Sequence, residues 1–226
     1  MAARYAVYYA PEAESALWRL GSQWLGRDAE TGAALRQPDI PEIAALTTSP
    51  RRYGLHATLK APIRLADGTT EAEFLDAVAT WAASETPFTL PRLDVGSLGD
   101  FLALRLSKPC PELIAMAGRC VRSLDRFRKP PSDAELARRR IDSLPVAERA
   151  HLLAWGYPYV FECYRFHITL SDSIADDKLR ARVHDAAVAW LEAAELENRP
   201  MVEACVFVQA TADQPFILTN RFAFSS

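Results

Sequence analysis

Two stretches of the chain carry residues able to move protons. His56-Ala57-Thr58-Leu59 and His167-Ile168-Thr169-Leu170 are copies of one pattern, H-x-T-L, set 111 residues apart in a chain of 226. The chain has only 4 histidines, and two of them stand in this pattern. Imidazole takes or gives a proton near neutral pH, and a threonine hydroxyl can donate a hydrogen bond to an anion. Two imidazoles and two hydroxyls around one site suit cleavage of a phosphoester. One imidazole acts as base toward the nucleophile and the other as acid toward the leaving oxygen, while the hydroxyls of Thr58 and Thr169 hold the non-bridging oxygens. The residues do not say which imidazole does which. This scheme needs no metal and no cofactor. Each motif offers only one ligand, with no H-x-x-x-H pair to complete a metal set. A lone H-x-T would read as ordinary polar sheet surface; the repetition is what points to chemistry.

The spacing prescribes how the motifs must be held. Side chains alternate faces along a strand, so His56 and Thr58 point the same way, about 6–7 Å apart. Leu55, Ala57 and Leu59 take the other face, as do Phe166, Ile168 and Leu170 in the second copy. Each strand therefore buries one face and presents imidazole plus hydroxyl on the other. The match extends to YGLHATLKA (Tyr53–Ala61) and YRFHITLSD (Tyr164–Asp172). With the offset near half the chain, this indicates an internal duplication, and two lobes about a pseudo-twofold axis would bring the motifs to one cleft, on central strands. Strand parity puts Tyr53 and Tyr164 on the core face. Arg165 shares the face of His167, where it either adds positive charge for a substrate phosphate or forms a surface salt bridge. His151 and His184 fall on expected helices and read as structural.

Element order supports the duplication. Arg4–Tyr9 (RYAVYY) reads as a strand, and a helix from Pro11 runs to about Leu25, stopped by Gly26. A loop-like stretch follows, with a short helix near Ile40–Leu46, and then a strand over Leu55–Leu65. Thr70-Glu71-Ala72-Glu73 is a capping box opening a helix to about Ser84. Phe88–Leu90, Leu93–Leu98 and Phe101–Leu106 read as strands, the last two joined at Gly99-Asp100. A helix covers Pro111–Phe127. Residues 129–158 differ: Lys129-Pro130-Pro131 breaks the chain, Ser132-Asp133-Ala134-Glu135 caps a charged helix ending near Arg140, and a second helix spans Pro145–Trp155. This reads as an insertion on the main body, dividing the chain into 1–128, 129–158 and 159–226 within one bilobal domain of 1–226. Tyr164–Leu170 is a strand, Ser173–Ala194 a helix, and Met201–Ala210 and Phe216–Phe224 close the fold.

Composition sets the outer limits. Half the residues are hydrophobic and 24% are charged, which is globular rather than disordered. A net charge of −3 disfavours tight non-specific nucleic-acid binding while leaving a small phosphate ester open as substrate. Cys110, Cys120, Cys163 and Cys205 form no C-x-x-C pair and read as reduced thiols. The opening MAARYAVYYAPEAE lacks a signal-peptide pattern, and no apolar run is long enough to span a membrane. A cytoplasmic protein is the expectation.

The paired motifs are similar to those of the two-histidine (2H) phosphoesterase superfamily. The flanks YGLHATLKAPIRL and YRFHITLSD, the opening RYAVYYAP, and Trp24-Leu25-Gly26-Arg27-Asp28 resemble a branch often encoded among phosphonate-metabolism genes. The resemblance implies an α+β, duplicated bilobal fold: two antiparallel sheets flank a metal-free cleft, with helices outside. It implies His56 and His167 as catalytic residues and Thr58 and Thr169 as phosphate ligands. Substrates of the superfamily are 2′,3′-cyclic phosphates, ADP-ribose cyclic phosphates and RNA ends. For this branch the genomic association points to a cyclic ribose phosphate ahead of an RNA end. The insertion at 129–158 departs from the minimal fold, so substrate choice does not carry over. The rival class is a non-catalytic nucleotide- or RNA-binding module that keeps the same cleft.

Overall fold

The computed structural model describes residues 3–131 and 141–225. The expected charged helix ending near Arg140, with its capping box, lies outside the described residues. Two antiparallel sheets dominate. The first has four strands: β1 (Arg4–Tyr9), β2 (Ala57–Ile63), and two late strands, Glu203–Gln209 and Ile217–Ala223. The second has three: Leu93–Leu98, Phe101–Leu106 and His167–Thr169. In chain order, β3 (Phe88–Thr89) and β7 (Pro200–Met201) make a separate two-stranded ladder, β4 to β6 are the three strands of the second sheet, and β8 and β9 are the late strands of the first. The first sheet runs β2-β1-β8-β9 and the second β4-β5-β6.

Strand β1 shows why RYAVYY sits in the middle. Every residue from Tyr5 to Tyr9 is buried, on both faces, between β2 and β8. A run of aromatic and β-branched residues with no polar alternation suits a strand covered on both sides. The expected turn at Gly99-Asp100 joins β4 to β5, with Leu98 opposite Phe101 and Gly99 at φ +64°.

Helices cover each sheet. Helix α1 (Ala16–Leu25) starts at Ser15, whose Oγ accepts the Trp18 N–H at 3.1 Å, and stops at Gly26 with φ +80°. Short helices α2 (Ile43–Leu46) and α3 (Thr48–Tyr53) follow. The capping box forms as expected: Thr70 and Glu73 satisfy each other's backbone N–H and open α4 (Glu71–Ala82). Helix α5 (Pro111–Leu124) lies on β2 and α4, while α4 also packs on β8 and β9. Helix α6 (Val146–Trp155) belongs to the expected insertion. Helix α7 (Asp177–Leu191) packs on β4 and β5 and against α1.

The two lobes therefore exchange elements. Late strands β8 and β9 complete the sheet of β1 and β2, while early helix α1 covers the other lobe. Trp24 of α1 donates its indole N–H to the Leu170 carbonyl at 2.8 Å, and Trp190 of α7 donates to the Leu20 carbonyl at 2.9 Å. One hydrophobic cluster runs through both lobes, from Val7 and Phe207 to Leu104 and Ile168.

Two expectations are corrected here. The motif strands β2 and β6 are edge strands of their sheets, not central ones. The two edges lie near each other, with Cα atoms of β2 and β6 within 8 Å and no ladder hydrogen bonds between them. The expected strand over Tyr164–Leu170 shrinks to His167–Thr169, because the chain enters it from a 3-10 turn at Phe161–Cys163.

Candidate active site

Both motifs show the predicted alternation. Leu55, Ala57 and Leu59 are buried, as are Phe166, Ile168 and Leu170, while His56, Thr58, His167 and Thr169 are partly exposed. Burying three apolar side chains per motif stabilises each strand by several kcal/mol, since each contributes about 1.5–3 kcal/mol when large. The imidazoles are thus held by the core on the strand's far side.

The two histidines are oriented by the same bond. His56 Nδ1 lies 2.9 Å from the Gly54 carbonyl, and His167 Nδ1 lies 2.8 Å from the Arg165 carbonyl. A carbonyl only accepts, so Nδ1 carries the proton in both rings. The neutral tautomer then leaves each Nε2 with its lone pair, ready to take a proton. The partner is two residues back in each motif, which repeats the duplication at the level of a single hydrogen bond.

Gly54 makes the first of these bonds available. Its φ of +83° disfavours a side chain, and a Cβ there would stand 2.3 Å from Ala29 Cβ. That turn also ends α3, so Tyr53 belongs to a helix and not to the motif strand. Strand parity does not apply to it, but the expected core packing holds on one side, where its ring stacks on buried Phe216 at 5.1 Å. Tyr53 also lines the cleft, 6.0 Å from His56 between ring centroids.

His56 is wedged among rings. Tyr8 stacks on it at 3.9 Å, with 26° between planes, and Phe207 lies at 6.0 Å. Tyr8 reaches it because β1 and β2 pair with Tyr8 opposite Thr58. A bulge beside this pair leaves Leu59 without an opposite residue and turns Lys60 into the interior, where it meets Asp125 at 3.2 Å. Burial lowers the His56 pKa first; the Gly54 carbonyl opposes this, and nearby His167 lowers it further, to about 4. Burial also lowers the His167 pKa. The Arg165 carbonyl opposes that shift, and the positive charges of Arg105 and Arg165 add to it.

His56, Tyr53, Phe101, Thr169, Asp172 and Ser173 border one open cleft of about 260 Å³. Phe101 in turn lies 5.9 Å from the His167 ring. Thr58 sits beyond His56 on β2, partly exposed. The Arg165 side chain is exposed, 3.7 Å from Glu148 and 5.8 Å from the Tyr159 ring. Its guanidinium thus meets an acid, as the salt-bridge alternative expects. His151 pairs with Glu162 at 2.8 Å, and His184 reaches Asp185 and the Val95 carbonyl. Sequence reading did not single out Tyr8, Phe207, Gly54 or Asp172. Their roles depend on which strands pair and where the chain turns, and only the glycine left a local trace.

Residues 58–217 match the family described as "Protein of unknown function (DUF1045)". The chain belongs to that family. Two curated relatives bear the name "Ribose 1,5-bisphosphate phosphokinase PhnN". The Janthinobacterium sp. (strain Marseille) protein is 37% identical over 98% of this chain and 51% of its own length. The Laribacter hongkongensis (strain HLHK9) protein is 34% identical over 95% of this chain and 50% of its own. This DUF1045 chain thus spans about half the length of the curated relatives it matches. Among solved structures, E. coli LigT complexed with 3′-AMP is 15% identical over 100% of both chains, with a TM-score of 0.49. No helix among the described residues is long and apolar enough to cross a membrane.

Proposed function

We propose that this chain is a phosphodiesterase that hydrolyses a cyclic or small nucleotide or ribose phosphate ester by acid–base catalysis from His56 and His167, with no metal in the reaction. The observation that carries the reading is the repeated Nδ1-to-carbonyl bond, which frees Nε2 of both histidines where two strand edges meet. Pure binding needs no such pair of proton carriers. Water attacks phosphorus and gives a proton to one imidazole. The P–O bond opposite breaks, and the other imidazole protonates the departing oxygen. A cyclic ester opens to a monoester plus a free hydroxyl, and the two imidazoles finish with exchanged protonation. Thr58 and Thr169 hold the non-bridging oxygens, and Arg165 adds positive charge.

The relatives' name supports a phosphorylated ribose as the substrate class, and its PhnN designation agrees with the phosphonate-linked branch resembled in sequence. The kinase it names belongs to proteins twice this length. This chain has no G-x-x-x-x-G-K-[ST] run to cradle a nucleoside triphosphate.

The test is a panel of 2′,3′-cyclic nucleotides and ribose cyclic phosphates incubated with the protein in EDTA, with ring opening followed by phosphorus NMR. Turnover of one class is the expected result. Saturable binding of a nucleotide or RNA end without turnover of any ester would assign the cleft to a binding module instead.

A further inference from the structure

Outside the cleft, one group of side chains combines three metal-ligating types. His151 of α6, and Glu162 and Cys163 of the turn Phe161–Cys163, bring one donor atom each to within 4.8 Å of one another. We propose that these three side chains bind a divalent transition metal of the zinc class, with a fourth position left to water.

The backbone is shaped for this. Phe161 enters the turn at φ +54°, in the left-handed region that a bulky residue seldom occupies. Its ring is fixed there by Trp155 at 5.1 Å, by His151 at 5.4 Å and by the Arg122 guanidinium at 4.3 Å. The residues that follow it, Glu162 and Cys163, then stand beside His151. A hydrogen bond between His151 and Glu162 accounts for two of the donors but not for the thiol. Glu148 is buried, one helical turn before His151. A nitrogen, an oxygen and a sulfur donor favour zinc or cobalt over magnesium or calcium. Binding would expel the thiol proton and clip α6 to the segment that leads, four residues later, into His167.

The full-length protein stripped with chelator is titrated with Co²⁺ and then back-titrated with Zn²⁺. The expected result is one equivalent bound, a thiolate-to-cobalt charge-transfer absorption, and a thermal midpoint that rises with zinc. Cys163→Ser should lose that absorption and bind zinc more than about tenfold more weakly. His151→Ala should lose both. Metal-free circular dichroism of Cys163→Ser matching the metal-free parent establishes that the variant folds. No saturable binding, or binding that persists unchanged in both variants, would overturn the proposal. Because the readout is metal uptake, it stands or falls apart from turnover at His56 and His167.

Discussion

The two H-x-T-L copies agree in some features and differ in others. Both set imidazole and hydroxyl at an edge strand, His56 just before β2 and His167 as the first residue of β6, bury the intervening residue, and tie Nδ1 to a carbonyl two residues back. Around the first copy, Tyr8, Tyr53 and Phe207 enclose the ring, and a positive-φ glycine supplies the carbonyl. Around the second stand Phe101, Arg105 and Arg165, and the carbonyl comes from an arginine in the short lead-in to β6. Shared features are those that the proposed proton transfer on one phosphate requires. The differing ones are what each lobe's packing happens to supply. The first copy is enclosed and apolar, the second open and cationic.

The largest effects should be equal across the copies. His56→Ala and His167→Ala are each expected to cut kcat/KM by about 10²–10⁴, the usual worth of one general acid or base. The double variant should lose little more than the worse single one, because the residues act as a unit. Steady-state kinetics on the ester found by the panel checks this; a near-normal rate in either variant would break the symmetry of roles.

Gly54→Ala should separate the copies. It forces an alanine into positive φ and drives Cβ against Ala29. Strain and overpacking together are expected to cost about 2–4 kcal/mol of stability, read as a shift in the urea midpoint. Arg165→Ala keeps its carbonyl and should leave the midpoint almost unchanged. Equal losses would mean that the two supports are alike after all.

Thr58→Ala and Thr169→Ala test the hydroxyls. Each removes one hydrogen bond to a charged phosphate and should lower kcat/KM by about 1.5–3 kcal/mol in transition-state terms. Competitive inhibition by inorganic phosphate, bound as a substrate-like anion, should weaken in parallel. Loss confined to Thr169, which borders the cleft, would sharpen the comparison by removing Thr58 from the site.

Enclosure of His56 has a smaller, graded consequence. Its folded pKa of about 4 lies below an unfolded value near 6.5. As pH falls, the unfolded chain takes up the proton first, so stability declines from about pH 6.5 toward 4, with a slope approaching 1.4 kcal/mol per pH unit, order of magnitude. The lowered pKa of His167 acts in the same direction. Urea unfolding of His56→Gln across that window should show a visibly flatter decline. An unchanged slope would contradict the aromatic enclosure.

Much of this was legible in the residues because it is local. Alternation in H-x-T-L, the capping box at Thr70, the stop at Gly26 and the turn at Gly99 all involve neighbours a few positions apart. What escaped was long-range. Nothing within RYAVYY says that Tyr8 will face Thr58, or that β8 and β9, some two hundred residues on, will complete that sheet. The edge positions of both motif strands likewise depend on which strands pair, β1 with β2 and β5 with β6. Tyr53 reaches the core from a helix and not from the motif strand, because one backbone angle at Gly54 ends α3 there.

The central claim is that both histidines carry protons to and from one phosphate. The pH dependence of kcat/KM in EDTA tests it most directly. With both pKa values lowered in the free protein, the profile should be a bell centred below pH 6.5, its limbs belonging to the coupled pair. Each single histidine variant should retain at most one limb. Activity lost in EDTA and restored by Zn²⁺ or Mn²⁺, in Cys163→Ser as well as in the parent, would show the two histidines to be ligands and not proton carriers.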